Sequence, residues 1–430
     1  MKERRFDPRL RLLQNNDLRD KVVLVRVDHN VVKKGAIKDP YRIDATLGTL
    51  YAIAEMGGRP ILMTHVGRPK DKKTGQISCE EGLSVKPIVQ YLEQKLPIKI
   101  HLPDLPIDPE KGIARLDDTI QQAVHDLRRR KIGMIYLPNT RWFHGEQSKG
   151  PERAAFARWL AGLADAYVND AFGSWQAHAS TYDIAGLLPS SAGTLLQREI
   201  ANLQSVLEPE KPYVAVVAGA KYDTKIGPLK ALYAKVDHLI LGGVFYNTFL
   251  SAKYGVDIAG VSEEDRDLAG ELVALDKEEN KILELPFLVE SDEMGKKTEG
   301  RYRTVKIDNL RGGRKFQYLL DVDPQSLEQD RIKDVLLTAK TIFVNAVMGF
   351  MPSYSEGSQA LYRLIASNPS ATKLFGGGDT LQELRRLCPG IYMTGLNAPD
   401  TYYFTGGGSV LTAIEQGSPY GLKPVEALMD

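Results

Sequence analysis

Cysteine is nearly absent: two in 430 residues, Cys79 and Cys388, in no C-x-x-C arrangement. That excludes a disulfide framework and a cysteine zinc site, and it fits a reducing cytoplasm. No apolar run approaches the ~20 residues of a membrane span. The N-terminal "MKERRFDPRLRLL" is charged where a signal peptide needs an apolar core. A soluble, cytoplasmic protein with no membrane partner is expected. Excess charge is missing too. Lys plus Arg (56) against Asp plus Glu (55) leave a net charge of +1, so no overall field draws the chain to nucleic acid, whereas binding of a small polyanion stays open. Three signatures are also lacking: no GxxxxGK[ST], no GxGxxG after the first strand, and no GxSxG. P-loop NTPase, ordinary dinucleotide-binding dehydrogenase and α/β-hydrolase readings fall away with them.

What is present is a βαβ rhythm. At roughly 150 residues per domain the length suggests two or three domains, with two the simpler reading. Short β-branched runs alternate with stretches of helical period, the pattern of parallel sheets covered on both faces, so the fold class is α/β. In the first half the runs are "KVVLVRV" (21–27), "RPILMTH" (59–65), "IGMIYLP" (132–138) and "DAYVND" (165–170). In the second they are "PYVAVVAGA" (212–220), "VDHLILGG" (236–243), "AKTIFVNAV" (339–347) and "TKLFGGGD" (372–379). Between them Leu195, Leu196, Ile200, Leu203 and Leu207 keep a helical stripe until Pro209, which predicts a connecting helix. The irregular, basic segment 286–317 reads as a solvated hairpin.

Ligands of open parallel sheets bind at the carboxyl ends of the strands, and nearly every run ends in a polar cluster. The first half gives "DHN" (28–30), "THVGRP" (64–69), "NTR" (139–141) and "NDAFG" (169–173). Arg42, Arg68 and Arg141, with His65, make this edge cationic and suited to phosphate or carboxylate oxygens. The second half ends its runs in "AGAK" (218–221), "LGG" (241–243), "GGGDT" (376–380) and "TGGGS" (405–409). Glycines let backbone N–H groups close around phosphates, and a helix starting just after adds its partial positive charge. Lys221 and Lys225 supply full charges there. Asp379 is placed for Mg²⁺, which favours one or two carboxylates plus nucleotide phosphates. A cationic site on one domain and a glycine-rich nucleotide site on another imply a phosphoryl transferase, with hinge closure to expel water.

The motifs "VLVRVDHNV", "THVGRPK", "NTRWF", "YVNDAFG…AHAST", "AGAKYDTKIG", "GGGDT" and "TGGGS", in this order and at these intervals, resemble the phosphoglycerate kinase family over essentially the whole chain. The resemblance implies two Rossmann-like parallel-sheet domains joined by a helix. A phosphoglycerate-binding domain over 1–189 would include a returning tail, 411–430. The interdomain helix would span 190–208 and the nucleotide-binding domain 209–410. It also implies reversible phosphoryl transfer between 1,3-bisphosphoglycerate and MgADP, giving 3-phosphoglycerate and MgATP in glycolysis and gluconeogenesis, by a monomer.

Carried over residue by residue, the resemblance puts Asp28, Asn30, Arg42, His65, Arg68 and Arg141 at the 3-phosphoglycerate site, with Arg26 as a basic neighbour and Gln176 and His178 in the same set. Asp28 and Asn30 would bind the glycerate hydroxyl, and the arginines the phosphate. Arg42, Lys221, Gly378 and Gly407 form the implied catalytic set. Gly219, Lys221, Lys225, Gly243, Asn345, Gly378, Thr380, Gly406, Gly407 and Gly408 would line the nucleotide and phosphate path, with Asp379 on the Mg²⁺ that accompanies ATP or ADP.

The chain also departs from the family. In "SWQAH", one residue shorter than the family's segment, Gln176 stands where an arginine is usual and Trp175 where a histidine is. Pro352 replaces a ribose-binding glutamate, Leu319 a glycine against the adenine, and Thr224 an aspartate. Leu319 reads either as narrowing the base pocket or as core filling. Two readings therefore stand: an active phosphoglycerate kinase, and a protein of that fold with lost or altered activity that serves as a binding or regulatory module.

Overall fold

The computed structural model describes residues 6–116, 118–219, 226–312 and 315–429. Contacts divide the chain into two compact units, Met1–Ala201 with Pro419–Asp430, and Asn202–Ser418. In the first unit the strands are β1 (Val22–Val27), β2 (Val32–Lys33), β3 (Ala36–Ile37), β4 (Arg59–Met63), β5 (Ile100–His101), β6 (Met134–Tyr136), β7 (Ala166–Asp170) and β8 (Ser190–Ala192). Six of these build one sheet in the order β5-β6-β4-β1-β7-β8, parallel throughout, while β2 and β3 form a small antiparallel ribbon.

A central parallel strand is covered on both faces and so must be apolar on both. β1 obeys this with VVLVRV, every position buried. Val23, Val25 and Val27 pack in one core with Ile43, Leu50 and Ile53 of the helix Tyr41–Glu55 and Ile88, Val89 and Leu92 of the helix Lys86–Lys95. Arg26 is the exception, a charged side chain at 1% exposure inside this strand. The chain lays β4, β6 and β5 to one side of β1 and then β7 and β8 to the other, so the strand order reverses at β1 and β7. A crevice at the carboxyl ends of such strands is where open α/β sheets bind ligands.

The second unit begins with β9 (Tyr213–Gly219) and β10 (His238–Gly242). Next come β11 (Phe287–Ser291), β12 (Tyr302–Lys306) and β13 (Tyr318–Val322), then β14 (Thr341–Asn345), β15 (Thr372–Gly376) and β16 (Thr401–Phe404). The parallel sheet has the order β10-β9-β14-β15-β16, reversing at β9 and β14. The antiparallel sheet β12-β11-β13 takes β11 and β12 from the irregular basic segment and β13 from just beyond it. The hairpin expected there is formed by β11 and β12, but only β12 is solvated: four of its five residues are exposed, and β11 is buried at all but its first.

All eight apolar runs are strands. β5, β8 and β16 are not among these runs, because two to four residues carry too little periodicity to register in a sequence. The connecting helix spans Thr194–Leu207 and buries Leu195, Leu196, Ile200, Leu203 and Leu207. The division between the units falls inside it. The helix Gly407–Gln416 packs on the helix Ile226–Lys235 within the second unit, so the tail that returns to the first unit begins at Pro419.

Asp170, at the end of β7, starts the connecting helix by accepting from Leu195 N (3.0 Å) and Leu196 N (3.1 Å). Burial pushes its carboxyl up from an ordinary 3.8 to about 7. The folded state therefore keeps this proton to higher pH than the unfolded chain does. Its contribution to stability is complete below about pH 4 and is lost as pH rises through about 7. Asp170→Asn should flatten that fall, which a three-unit shift could make as large as ~4 kcal/mol. All three tryptophans, Trp142, Trp159 and Trp175, lie in the first unit, so urea unfolding followed by their fluorescence at pH 5 to 8 reads that unit alone. An unchanged pH slope in the variant would contradict the assignment.

Candidate active site

At the carboxyl edge of the first unit, "DHN" splits in two. His29 turns into the core, its Nδ1 on Tyr136 OH (3.0 Å) and Nε2 on Thr46 Oγ1 (2.9 Å), and burial with Arg26 nearby pushes it down to about 3. Asp28 and Asn30 stay at the edge. Asp28 Oδ2 pairs with Arg42 Nη1 at 3.2 Å, while its Oδ1 is buried with no hydrogen-bond partner. Asn30 Oδ1 accepts from Gly67 N (2.9 Å), which ties the first polar cluster to the second. The "NTR" turn is fixed by Asn139, whose Oδ1 accepts from Val66 N and Arg141 N and whose Nδ2 donates to Val66 O.

The edge has more cation than its own anions balance. Burial holds Arg141 down to about 10, with Arg26 and Arg68 adding to the effect and Glu146 and Asp28 opposing it. Its Nη1 donates to Gly67 O (2.5 Å), and its buried Nε has no partner. His65 lies well below the ordinary imidazole value, first from burial and then from Arg141, Arg26, Arg42 and His178. His178 is lowered by burial too, with Glu146 pulling the other way. Thus Asp28, Asn30, Arg42, His65, Arg68, Arg141 and His178 share one edge, and Arg68 is exposed there. Gln176 is exposed on the loop beside them, its carbonyl accepting from Thr181 Oγ1 (2.7 Å).

Sequence reasoning missed the carboxylate behind these cations. Glu146, 1% exposed, accepts from Ser180 Oγ (2.6 Å) and Ser180 N (3.0 Å), and Ser180 Oγ in turn accepts from Arg26 Nε (2.9 Å). Neither residue sits at the end of an apolar run. The only available signal was a Glu five residues past "NTR", which is ordinary surface composition.

At the edge of the second unit the work is done by backbone. Gly219, ending β9, bridges Gly243 at the start of the helix Gly243–Tyr254. Asn345 ends β14 and donates from Nδ2 to Gly376 O (2.8 Å). Two helices start beside it: Gly378–Leu387 after Gly377, and Gly407–Gln416 after Gly406. A Cβ on Gly407 would lie 2.6 Å from both Asn345 Nδ2 and Gly377 Cα, and Gly377 itself has φ +106°. Only glycine allows the two turns this close. The first-turn N–H groups of both helices have no intrahelical partner and carry the positive end of the dipole, an arrangement suited to phosphate. Gly378 and Asp379 are exposed in the first turn, Thr380 is buried, and Gly408 is half-buried. Lys221, Lys225 and Thr224 lie outside the described residues. Among those described, no three of His, Cys, Asp and Glu form a metal cage. A single exposed carboxylate beside a phosphate cradle fits Mg²⁺ that arrives with a nucleotide. Leu319 is buried on β13, and Pro352 is exposed.

Comparison with known proteins gives matches over nearly the whole chain. The phosphoglycerate kinase family model matches residues 13–417. The phosphoglycerate kinase of Dictyoglomus turgidum is 34% identical over 411 residues, 94% of this chain and 95% of its own length. That of Moorella thermoacetica is 35% identical over 410 residues, with the same coverage. Among solved structures, the phosphoglycerate kinase of Coxiella burnetii superposes with a TM-score of 0.71 at 29% identity, covering 97% of this chain and 98% of its own. That of Pyrococcus horikoshii has a TM-score of 0.74 at 19% identity and the same coverage, which speaks for the fold alone. On the match across nearly its whole length, this chain belongs to the phosphoglycerate kinase family.

Proposed function

We propose that the chain catalyses reversible phosphoryl transfer between MgATP and 3-phosphoglycerate, giving 1,3-bisphosphoglycerate and MgADP. The first unit would hold the acid and the second the nucleotide. The observation that carries this reading is the pairing, in one chain of this family, of a cation-rich sheet edge with a glycine-built edge. The first suits a small anion, and the second suits a polyphosphate.

The chemistry asks little of acid or base groups. The attacking carboxylate is already ionised at neutral pH and the leaving group is an anion. A carboxylate oxygen to phosphorus bond forms, the bond from that phosphorus to the β-bridging oxygen breaks, and no proton moves. Positioning and charge neutralisation are what the protein contributes. Asp28, whose Oδ1 lacks a partner, and Asn30 suit the glycerate hydroxyl. Arg68, Arg141 and His65 suit the phosphate, with Gln176 and His178 at its rim. Arg42, placed by Asp28, is assigned to the reacting carboxylate end, and Lys221 to the transferred group. Gly219, Gly243, Asn345, Gly378, Thr380 and Gly406 to Gly408 are assigned to the nucleotide phosphates with Lys225. Asp379 would hold Mg²⁺, which when bound neutralises charge on the phosphate oxygens. The same proposal places the enzyme in glycolysis or gluconeogenesis, in the cytoplasm and as a monomer. Among the described residues no helix is long and apolar enough to cross a membrane.

Asp379→Asn should reduce Mg²⁺-dependent transfer at least a hundredfold and leave 3-phosphoglycerate binding within twofold, because the two ligands are assigned to different units. A coupled assay and calorimetric titration of each ligand measure this. Equal loss of both ligands would refute the assignment. At the acid edge, Gln176→Arg should tighten 3-phosphoglycerate binding about five- to a hundredfold, since a charge-assisted bidentate contact replaces a neutral donor, a gain of ~1–3 kcal/mol. Calorimetry at fixed ionic strength decides: an unchanged Kd would mean that position 176 lies off the phosphate.

A further inference from the structure

We propose that Glu146, acting through Ser180 and Arg26, is a positioning residue that holds His65 as the Nε2–H tautomer, a neutral hydrogen-bond donor to the anion bound at this edge. The inference rests on the acid-binding reading only for the identity of that anion.

The direction of every hydrogen bond in the relay is dictated by chemistry. A guanidinium has no acceptor. Arg26 Nη2 lies 3.1 Å from His65 Nδ1, so Nδ1 must present its lone pair, and the ring proton is left on Nε2. Arg26 cannot turn away, because its Nη1 donates to Val27 O and its Nε to Ser180 Oγ at 2.9 Å. Having accepted there, Ser180 Oγ donates its own proton to Glu146 Oε1 at 2.6 Å, and Ser180 N donates to Oε2 at 3.0 Å. Arg26, Ser180 and Glu146 are all buried, so water does not compete for any of these contacts.

The surroundings keep the imidazole neutral. His65 is buried, and the charged or titratable groups that face it are Arg26 on β1, Arg42 on the helix Tyr41–Glu55, Arg141 in the turn after β6 and His178 on the loop after β7. Against these neighbours a second ring proton is disfavoured. The site then has a donor of fixed direction that adds no charge. It selects acceptors such as phosphate oxygens and leaves electrostatic attraction to the arginines.

Long-range ¹H–¹⁵N NMR on the labelled full-length protein tests this, with His65→Gln used to assign the ring signals. The wild type should show Nδ1 unprotonated and Nε2 protonated from pH 5.5 to 8. Ser180→Ala should yield a tautomer mixture or a titrating ring and weaken 3-phosphoglycerate binding about five- to tenfold, the loss of roughly one hydrogen bond. Glu146→Gln, which keeps the shape and removes the charge, gives the same readout if Ser180→Ala fails to fold. An Nδ1–H ring, or an imidazolium near pH 6, in the wild type would overturn the proposal. So would a tautomer and Kd unmoved in a folded Ser180→Ala or Glu146→Gln. A wild type with the Nε2–H ring that does not bind 3-phosphoglycerate would overturn the ligand reading while supporting the relay, so the two failures are told apart.

Discussion

A cluster of cations held out of water needs an anion, and at the edge of the first unit the buried carboxylate of Glu146 supplies only part of it. Arg26, Arg141, His65 and His178 lie within its reach or that of its hydrogen-bonded partners. Glu146 reaches Arg26 through the Ser180 hydroxyl, and a buried carboxylate so close to buried guanidinium groups offsets part of their charge. The balance is nevertheless short of negative charge. Arg141 is held below the usual guanidinium range, and its Nε and Asp28 Oδ1 are buried without partners. Unpaired polar groups beside uncompensated positive charge suit a small anion rich in acceptors, as the proposed substrate is.

The second unit meets a similar requirement by different means. Asn345 clamps Gly376, and Gly377 and Gly407 approach until no side chain fits between the turns. Two helix N-termini therefore open side by side, each with the positive end of its dipole at the edge. Side-chain charge is sparse among the described residues of this edge, which suits a ligand that carries a metal ion. Strand order explains why both edges lie where they do. Each parallel sheet reverses direction once, at β1 and β7 and again at β9 and β14, and the polar residues cluster at those carboxyl ends.

Much of this was legible in the sequence, for a physical reason. Strands buried on both faces must be continuous apolar runs, so all eight stood out, and a polar cluster at the end of such a run has few roles other than binding. Short elements such as β5, β8 and β16 were invisible because neighbouring strands hold them in place. Glu146 was also hidden, and nothing linked it to the serine of "AHAST", since a loop carboxylate 34 residues from the serine it binds leaves no local pattern. His29 looked like part of the binding cluster, and only packing shows it turned onto Tyr136 and Thr46. Arg26 sits inside a strand that is otherwise wholly apolar and buried, where a charge is costly. The family resemblance marked it only as a basic neighbour of the acid site, and its burial and its bond to Ser180 appear only in the structure.

The central claim, that these two edges serve one phosphoryl transfer, is tested most directly by ³¹P NMR of the unmodified protein with Mg²⁺, ATP and 3-phosphoglycerate. The account predicts a new acyl phosphate resonance growing in step with ADP, and its return to ATP when ADP is added in excess. ATP that persists unchanged, or that yields only inorganic phosphate, would contradict it.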